Sequence, residues 1–206
     1  MGFVVQDARW RRLDRDCPRR PPAELEPDDE GYFVHEYVVG GDGPASGFEG
    51  NSLVLDFKIA PDAPNYTRRR FWKEEACRAF ALDLSESLAP ECVLCHVPSS
   101  KRIGDKQYDP RFEMLFECLG ACRPDLRFER PWSTVSSSVA AHAGGPRGRR
   151  WCYERLRWEG LRRPAASIVL VDDVITTGAH FKACQRMLGE HGVARVTGLF
   201  WALALD

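Results

Sequence analysis

The stretch SIVLVDDVITTGAHF, residues 167–181, decides the fold that this sequence predicts. Residues 168–171 are a short aliphatic and β-branched run, which is typical of a strand covered on both faces. Asp172 and Asp173 follow, and we expect them to end the strand at the carboxyl edge of a sheet. A small polar turn comes next, and residues 179–189 have the apolar spacing of a helix. The predicted unit is a strand, an acidic pair, a turn and a helix.

The turn between the acidic pair and the helix is suited to an anion. Thr176, Thr177 and Gly178 bring backbone N–H groups and two hydroxyls to a helix N-terminus, where phosphate binds favourably. The two carboxylates repel phosphate but accept hydrogen bonds from hydroxyl groups. A sugar phosphate satisfies both halves, with its diol on the carboxylates and its phosphate in the turn.

Length, charge and composition restrict the class of protein. The 206 residues suffice for one α/β domain with a full core, and the net charge of -1 gives no global attraction to nucleic acid or anionic membranes. No apolar run approaches the ~18 residues of a membrane span. The N-terminus lacks a hydrophobic signal core, which predicts a cytoplasmic protein without a membrane partner. Eight cysteines in a chain of this length suit a reducing compartment.

The rest of the chain alternates between predicted strands and helices. This order predicts an α/β fold with a mostly parallel central sheet and helices on both faces, whose ligands bind at the carboxyl ends of strands. Residues 1–30 are expected to be an irregular surface arm, and residues 31–206 a single domain. We predict strands at 32–39, 52–59, 92–97, 126–132 and 195–203, and helices at 68–88 and from an Asp109 N-cap to residue 122.

A second loop with anion-binding chemistry follows the predicted strand at 92–97. Its sequence, VPSSKRIGDKQYD, supplies hydroxyls, backbone N–H groups and two cations from Ser99, Ser100, Lys101 and Arg102. This combination suits a polyphosphate better than a single phosphate. A plain polar surface turn is the alternative interpretation of the same residues.

Residues 133–150 contain few large apolar side chains and are expected to form a mobile loop. Its segment AAHAGGPRGRRW places four basic residues among glycines, and such a loop can close over a polyanion and expel water. A disordered basic linker is the alternative. The candidate residues of this loop are His142, Arg147, Arg149 and Arg150.

Two further groups of residues have less specific patterns. Cys92 and Cys95 are spaced like metal ligands, but residues three apart on a strand point to opposite faces, so zinc is not expected there. The arginine-rich stretch RGRRWCYERLRWEGLRR, residues 147–163, favours an amphipathic helix with a solvated basic face. Binding of nucleic acid by charge and stacking is its second, less favoured interpretation.

The motifs together resemble a known family. VLVDDVITTGA resembles the phosphoribosyl-diphosphate (PRPP) motif of type I phosphoribosyltransferases, and VPSSKRIGDKQYD resembles the pyrophosphate loop of the same fold. The order of the motifs over about residues 50–203 is similar to the ComF-like branch of competence proteins. The sequence lacks the four-cysteine zinc finger of that branch, and AAHAGGPRGRR stands where its usual loop signature would be. The resemblance therefore extends to the superfamily and not to the ComF function.

The resemblance implies roles for individual residues. Asp172 and Asp173 would hold the ribose hydroxyls, and residues 99–102 would hold the pyrophosphate, with a non-proline cis peptide near residues 99–101. A small N-terminal hood would cover about residues 31–66. The residues implied in binding the ribose and the 5-phosphate are Asp172, Asp173, Val174, Ile175, Thr176, Thr177, Gly178 and Ala179.

The implied activity is the Mg²⁺-dependent transfer of a 5-phosphoribosyl group from PRPP to a nitrogen of a nucleobase or amine. Asp172, Asp173 and Lys101 would be catalytic, and Mg²⁺ would be held through PRPP, with the two aspartates as candidate ligands. The alternatives are a regulator that binds PRPP without turnover and a ComF-like accessory protein of DNA uptake. The sequence does not identify the acceptor, and the oligomeric state, including a homodimer, stays open.

Overall fold

The computed structural model describes residues 7–14, 16–17, 21–38, 49–137 and 148–205. Most of the described chain belongs to one six-stranded sheet and the helices packed on it. None of the helices in this part of the chain combines the length and the hydropathy that crossing a bilayer requires. The elements are, in order, β1 (Arg11–Arg12), β2 (Glu30–Val38), α1 (Glu49–Phe57), α2 (Tyr66–Ser87), β3 (Val93–His96), α3 (Arg111–Cys122), β4 (Arg127–Phe128), β5 (Trp132–Thr134), α4 (Arg149–Glu154), β6 (Leu156–Trp158), β7 (Ser167–Ile175), α5 (Ala179–Glu190) and β8 (Arg195–Leu205).

The central sheet has the order β1-β2-β8-β7-β3-β4, and only β1 is antiparallel to its neighbour. From β3 the chain passes through α3 to β4 on one side, and from β7 it passes through α5 to β8 on the other side. The strand order therefore reverses between β3 and β7, which makes a topological switch point. The prediction of an α/β fold with a mostly parallel sheet is confirmed.

Strand β7 is buried on both of its faces, as its aliphatic sequence predicts. Val169 and Val171 pack in the same cluster as residues of α1, α2 and α3. Ile168 and Leu170 pack in a second cluster with the apolar side of α5. Since alternate residues of a strand point to opposite faces, helices cover both sides of the sheet.

An aromatic cluster holds α1 and α2 against the sheet. Trp201 of β8 is fully buried, stacks on Phe80 with ring centroids 4.7 Å apart, and meets Phe57 edge-on at 5.7 Å. The indole N–H of Trp201 donates to Asp83 Oδ2 at 2.9 Å, so its one polar atom is satisfied inside the core.

The prediction of a strand at residues 52–59 is wrong, because residues 52–57 belong to helix α1 and a turn follows it. Val54 and Phe57 are three residues apart and both are fully buried, which is the spacing of a helix face and not of a strand. Asn51 links α1 to β2 by accepting a hydrogen bond from the Val38 N–H at 2.8 Å. The described part of residues 31–66 adds a strand to the central sheet and a helix to its core.

The expected surface arm at residues 1–30 is packed onto the domain wherever it is described. Arg11 and Arg12 pair with Phe33 and Tyr32 as strand β1. Trp10 and Leu13 flank this strand and are buried to 6% and 2% exposure, so burial of apolar surface holds the segment in place.

The predicted amphipathic helix at residues 147–163 is also corrected. Within its described part, α4 ends at Glu154 and strand β6 follows, paired antiparallel with β5. The segment from 126 to 132, predicted as one strand, contains β4 and the first residue of β5, which belong to different sheets. Leu156 and Trp158 are both partly buried, a spacing of two that suits a strand.

Candidate functional site

The structure brings the two predicted anion loops to one edge of the sheet. Strands β3 and β7 are parallel neighbours with His96 opposite Val171, and the Val97 N–H donates to the Val171 carbonyl at 2.9 Å. The loop after β3 and the loop after β7 therefore leave the sheet side by side at the switch point. Crevices at this position are where open α/β sheets bind ligands.

The acidic pair lies within β7, which continues to Ile175, whereas we expected Asp172 and Asp173 to end the strand. The two side chains consequently point to opposite faces of the sheet. Asp173 faces the side of α1 and α3, where it meets Lys58 and Arg111. Asp172 faces the side of α5 and lines a small cavity there.

Asp173 is 4% exposed and lies between two cations. Arg111 Nη2 is 2.8 Å from its Oδ2, and Lys58 Nζ is 3.4 Å from its Oδ1. Burial by itself would raise the pKa of Asp173, but the charges of Arg111 and Lys58 outweigh it and hold the pKa below its ordinary value. Asp173 is therefore ionised at neutral pH.

Arg111 connects Asp173 to a buried ion pair. Its Nη1 lies 3.1 Å from Asp109 Oδ2. Lys73, whose side chain is fully buried, donates to both oxygens of Asp109 at 2.8 and 3.0 Å. The Asp109 carboxylate was predicted to cap α3, but no side-chain hydrogen bond caps this helix, since the carboxylate binds the two cations.

The surroundings of the acidic pair are not acidic. Burial, with the neighbouring charge of Asp173, raises the pKa of Asp172 to about 8, so Asp172 is largely protonated at neutral pH. Asp109 and Asp173 then face three cations, namely Lys58, Lys73 and Arg111. The net positive charge of this group favours an anionic ligand at the sheet edge.

The loop after β7 has the form expected for an anion site. Gly178 has φ +83° and precedes α5, and Thr177 Oγ1 accepts a hydrogen bond from the Ala179 N–H at 3.3 Å. Within the described residues, the N–H groups of Thr177 and Gly178 have no hydrogen-bond partner. A cavity of about 30 Å³ is lined by Asp172, Val174, Ile175, Thr176, Thr177, Gly178 and Ala179, with His180, Phe181 and Phe200.

The loop after β3 offers side-chain charge more than backbone N–H groups. The Lys101 N–H donates to Ser99 Oγ at 3.2 Å, and the Arg102 N–H donates to Ser137 Oγ at 3.2 Å. These two N–H groups, which we expected to hold an anion, are thus already bonded. Ser100 is partly exposed in the same loop. The described residues contain no cis peptide bond, so the cis bond expected near residues 99–101 is absent, and the Ser99 hydroxyl closes the turn.

A cavity of about 190 Å³ lies between this loop and the β5–β6 hairpin. Four cations line it: Lys101 and Arg102 from the loop, Arg130 before β5, and Arg157 from β6. No carboxylate is among its described lining residues, and within the described chain no acid lies within 4.0 Å of the side-chain nitrogens of Lys101, Arg102 or Arg157. Arg130 pairs with Glu113, so Lys101, Arg102 and Arg157 are the cations of this cavity without an ion-pair partner in the described chain.

The four basic residues predicted in the mobile loop do not lie together in the structure as far as it describes them. His142 and Arg147 lie outside the described residues. Arg149 begins α4 and pairs with Glu24 at 3.3 Å and Glu26 at 3.2 Å, so it contacts the N-terminal segment and not the 190 Å³ cavity. The side chain of Arg150 is 91% exposed and pairs with Glu154 along the helix.

Several charged residues at the site were not found by reasoning from the sequence: Lys58, Lys73, Arg111, Arg130 and Arg157. One signal was present, since the chain has only five lysines against twenty-four arginines. Lys58 and Lys73 take part in the buried network, Lys101 lines the cavity, and Lys182 forms a buried ion pair. Three of the five lysines, Lys58, Lys73 and Lys182, thus have a carboxylate partner.

In comparisons with known proteins, the chain matches no protein-family model and no curated protein. Any assignment of function therefore depends on the motifs and on the geometry of the site.

Proposed function

We propose that this protein is a Mg²⁺-dependent phosphoribosyltransferase that binds PRPP at the carboxyl ends of β3 and β7. The observation that carries this proposal is the adjacency of two different anion sites at the switch point, joined by the His96–Val171 pairing. One site is a small Thr/Gly loop at a helix N-terminus, and the other is a larger cavity with four cations. A ligand with a single phosphate at one end and a pyrophosphate at the other matches this pair.

The loop after β7 is proposed to bind the 5-phosphate. Its Thr177 and Gly178 N–H groups are without partners in the described chain, and the first turn of α5 adds a favourable dipole. Asp172 lines the same cavity, so a sugar attached to that phosphate lies within its reach. In its protonated form Asp172 donates a hydrogen bond, and in its ionised form it accepts one from a ribose hydroxyl.

The cavity beside Lys101 is proposed to bind the pyrophosphate. Cleavage of the bond between the anomeric carbon and the pyrophosphate oxygen gives the sugar oxocarbenium character and leaves negative charge on the pyrophosphate. Lys101, Arg102 and Arg157 stabilise that charge. Pyrophosphate leaves without a general acid, and the nitrogen acceptor supplies the electron pair for the new bond to the anomeric carbon.

The residues present are suited to Mg²⁺ only when it arrives with PRPP. Asp172 and Asp173 point to opposite faces, and Asp173 is neutralised by Arg111 and Lys58, so the two carboxylates do not form a metal site together. Pyrophosphate oxygens would supply the ligands that the protein lacks, and Asp172, which lines the cavity of the Thr/Gly loop, would be the candidate protein ligand. When bound with PRPP, Mg²⁺ would supply neutralisation of charge on the leaving group.

A second candidate function is binding of PRPP without turnover, as in a regulator. The observation that favours it is the position of Asp173, since each of its oxygens already lies beside a cation. In this case the ion pairs with Arg111 and Lys58 stay intact, and the carboxylate takes no part in a reaction.

The test is a phosphorus NMR time course of PRPP, Mg²⁺, the protein, and a pool of nucleobases and amines. We expect pyrophosphate release that depends on an acceptor, and loss of that release in the Asp172→Asn/Asp173→Asn double variant. Arg150→Gln is the control, because Arg150 is exposed and pairs with Glu154 along its own helix. PRPP lines that broaden without decay would favour the regulator, and unchanged lines would refute PRPP binding.

A further inference from the structure

A short N-terminal segment lies directly against the Thr/Gly loop. We call residues 22–29 the strap. The Glu24 N–H donates to the Thr177 carbonyl at 2.8 Å, and a turn in the strap is closed by the Leu25 N–H and the Pro22 carbonyl at 3.0 Å. Leu25 covers Gly178 so closely that a Cβ built on Gly178 would lie 3.0 Å from Leu25 Cδ2. The strap therefore contacts both the backbone and the surface of the loop.

The hydrogen bond from Glu24 determines the direction of one loop N–H. The Thr177 carbonyl and the Gly178 N–H belong to the same planar trans peptide, so they point in opposite directions. Because the carbonyl points to the strap, the Gly178 N–H points away from it. Gly178 is buried, and its N–H has no partner within the described residues, which is the arrangement of a donor kept for a ligand.

Ion pairs fix the strap on both sides of the loop. Lys182, 6% exposed, lies 2.7 Å from Asp29 Oδ1 and 3.0 Å from Glu26 Oε2. Arg149 pairs with Glu24 and Glu26. Lys182 and Arg149 offset two of the four acidic charges of the strap, which reduces its repulsion of an anion in the neighbouring loop. Breaking the buried pair of Lys182 and Asp29 is costly, so the strap is a fixed part of the domain.

We propose that the strap is part of the phosphate site, with Glu24 and Leu25 as positioning residues that hold the Gly178 N–H toward a phosphate monoester. This inference rests on the proposed function, because it specifies the 5-phosphate subsite of PRPP. It also assigns Arg149 to the strap and not to the pyrophosphate.

The test measures the affinity of the full chain for two separate probes, ribose 5-phosphate and magnesium pyrophosphate, by calorimetry. Glu24→Pro removes the donor N–H, and Glu24→Ala keeps it while removing the ion pair with Arg149. We expect Glu24→Pro to weaken ribose 5-phosphate binding about tenfold, which is the loss of one hydrogen bond to a charged group. Pyrophosphate affinity and the Glu24→Ala affinities should change less than about twofold.

A second pair of variants guards against a local distortion of the turn by proline. Leu25→Ala uncovers Gly178, and Leu25→Met keeps the contact. We expect Leu25→Ala to weaken ribose 5-phosphate binding and to move the Gly178 amide resonance, and Leu25→Met to restore both. Equal losses for the two probes, or unchanged ribose 5-phosphate binding in both Glu24→Pro and Leu25→Ala, would overturn the inference and leave the proposed function standing. A wild-type protein that binds neither probe would refute both.

Discussion

The guanidinium of Arg111 lies 2.8 Å from the Asp173 carboxylate, at the point where the core of the domain meets the candidate site. The side chain of Asp173 is 6% exposed and that of Arg111 is 19% exposed, so water screens the pair weakly. The pair makes the two aspartates of the VDD motif unequal, since one is ionised and held by cations while the other keeps its proton.

Removing Arg111 should destabilise the protein strongly. Arg111→Met leaves Asp173 buried with Lys58 alone at 3.4 Å, and loss of one partner of a buried pair costs about 3–5 kcal/mol. Urea denaturation measures the loss as a change in the free energy of unfolding. Arg150→Met is the matched control, because the 91% exposed Arg150 should contribute less than about 1 kcal/mol.

A second substitution, at Asp173, should restore part of the stability that Arg111→Met removes. In the Arg111→Met/Asp173→Asn double variant the uncompensated Asp173 carboxylate is removed, and Asp109 keeps Lys73 as its partner at 2.8 Å, so part of the lost stability should return. A double variant that is less stable than Arg111→Met would contradict the assignment of the loss to the uncompensated charge of Asp173.

Asp172 predicts a pH dependence of the opposite sign from that of an ordinary carboxylate. Burial and the charge of Asp173 raise its pKa from 3.8 to about 8 in the folded protein. Between these two values the folded state holds a proton that the unfolded state has lost, so the Asp172 contribution to stability falls as pH rises, and it levels off above about pH 8.

The Asp172→Asn variant tests this contribution. From pH 5 to pH 8, the unfolding free energy should decrease less in the variant than in wild type, by at least about 1 kcal/mol. The size follows from the raised pKa of Asp172, since one pKa unit corresponds to ~1.4 kcal/mol. Chemical denaturation at several pH values gives the two curves. If wild type and variant fall in parallel, Asp172 is ionised in the folded protein at neutral pH.

The sequence predicted the parts of the fold that depend on local pattern. A continuous aliphatic run, a turn of small polar residues and apolar residues at helix spacing are visible in the residues themselves, and they predict the strand, the turn and the helix at 167–190. The segment at 52–59 was assigned to a strand because its aliphatic residues suit either structure. Only its packing against α2 and Trp201 makes Val54 and Phe57 one helix face.

The part of the site that the sequence did not predict consists of contacts between residues far apart in the chain. The sequence Asp109-Pro110 predicts a helix cap, since proline is favoured at the first helical position. The actual partner of Asp109, Lys73, lies 36 residues earlier, and nothing in the sequence identifies that pairing. The strap was missed for the same reason, since Glu24 and Thr177 meet across most of the chain.

Arg157 should contribute to pyrophosphate binding. It lines the 190 Å³ cavity with Lys101 and has no ion-pair partner within the described residues, so its charge is available to a ligand. Arg157→Gln should weaken magnesium pyrophosphate binding about tenfold, the loss of one charge-assisted hydrogen bond. Calorimetry measures the effect, and Arg163→Gln, an exposed arginine outside the cavity lining, is the control. Equal affinities of the two variants would remove Arg157 from the site.

Alanine substitution of Gly178 and of Gly189 compares a strained glycine at the start of α5 with an unstrained glycine in the same helix. Gly178 has φ +83°, and an added Cβ would lie 3.0 Å from Leu25 Cδ2, whereas a Cβ on Gly189 meets nothing within 4 Å. Gly178→Ala should therefore cost about 1–2 kcal/mol of stability from backbone strain and the contact with Leu25. Gly189→Ala, inside the helix, should stabilise by about 0.5–1 kcal/mol.

Thermal denaturation of the two alanine variants separates a strained loop from a general intolerance of α5 to substitution. Opposite shifts of the melting temperature would place the strain at Gly178, and ribose 5-phosphate binding should fall only in that variant because only its backbone must move. If both variants melt below wild type by similar amounts, the left-handed conformation of Gly178 is not what limits the loop, and its fixed geometry must come from the strap alone.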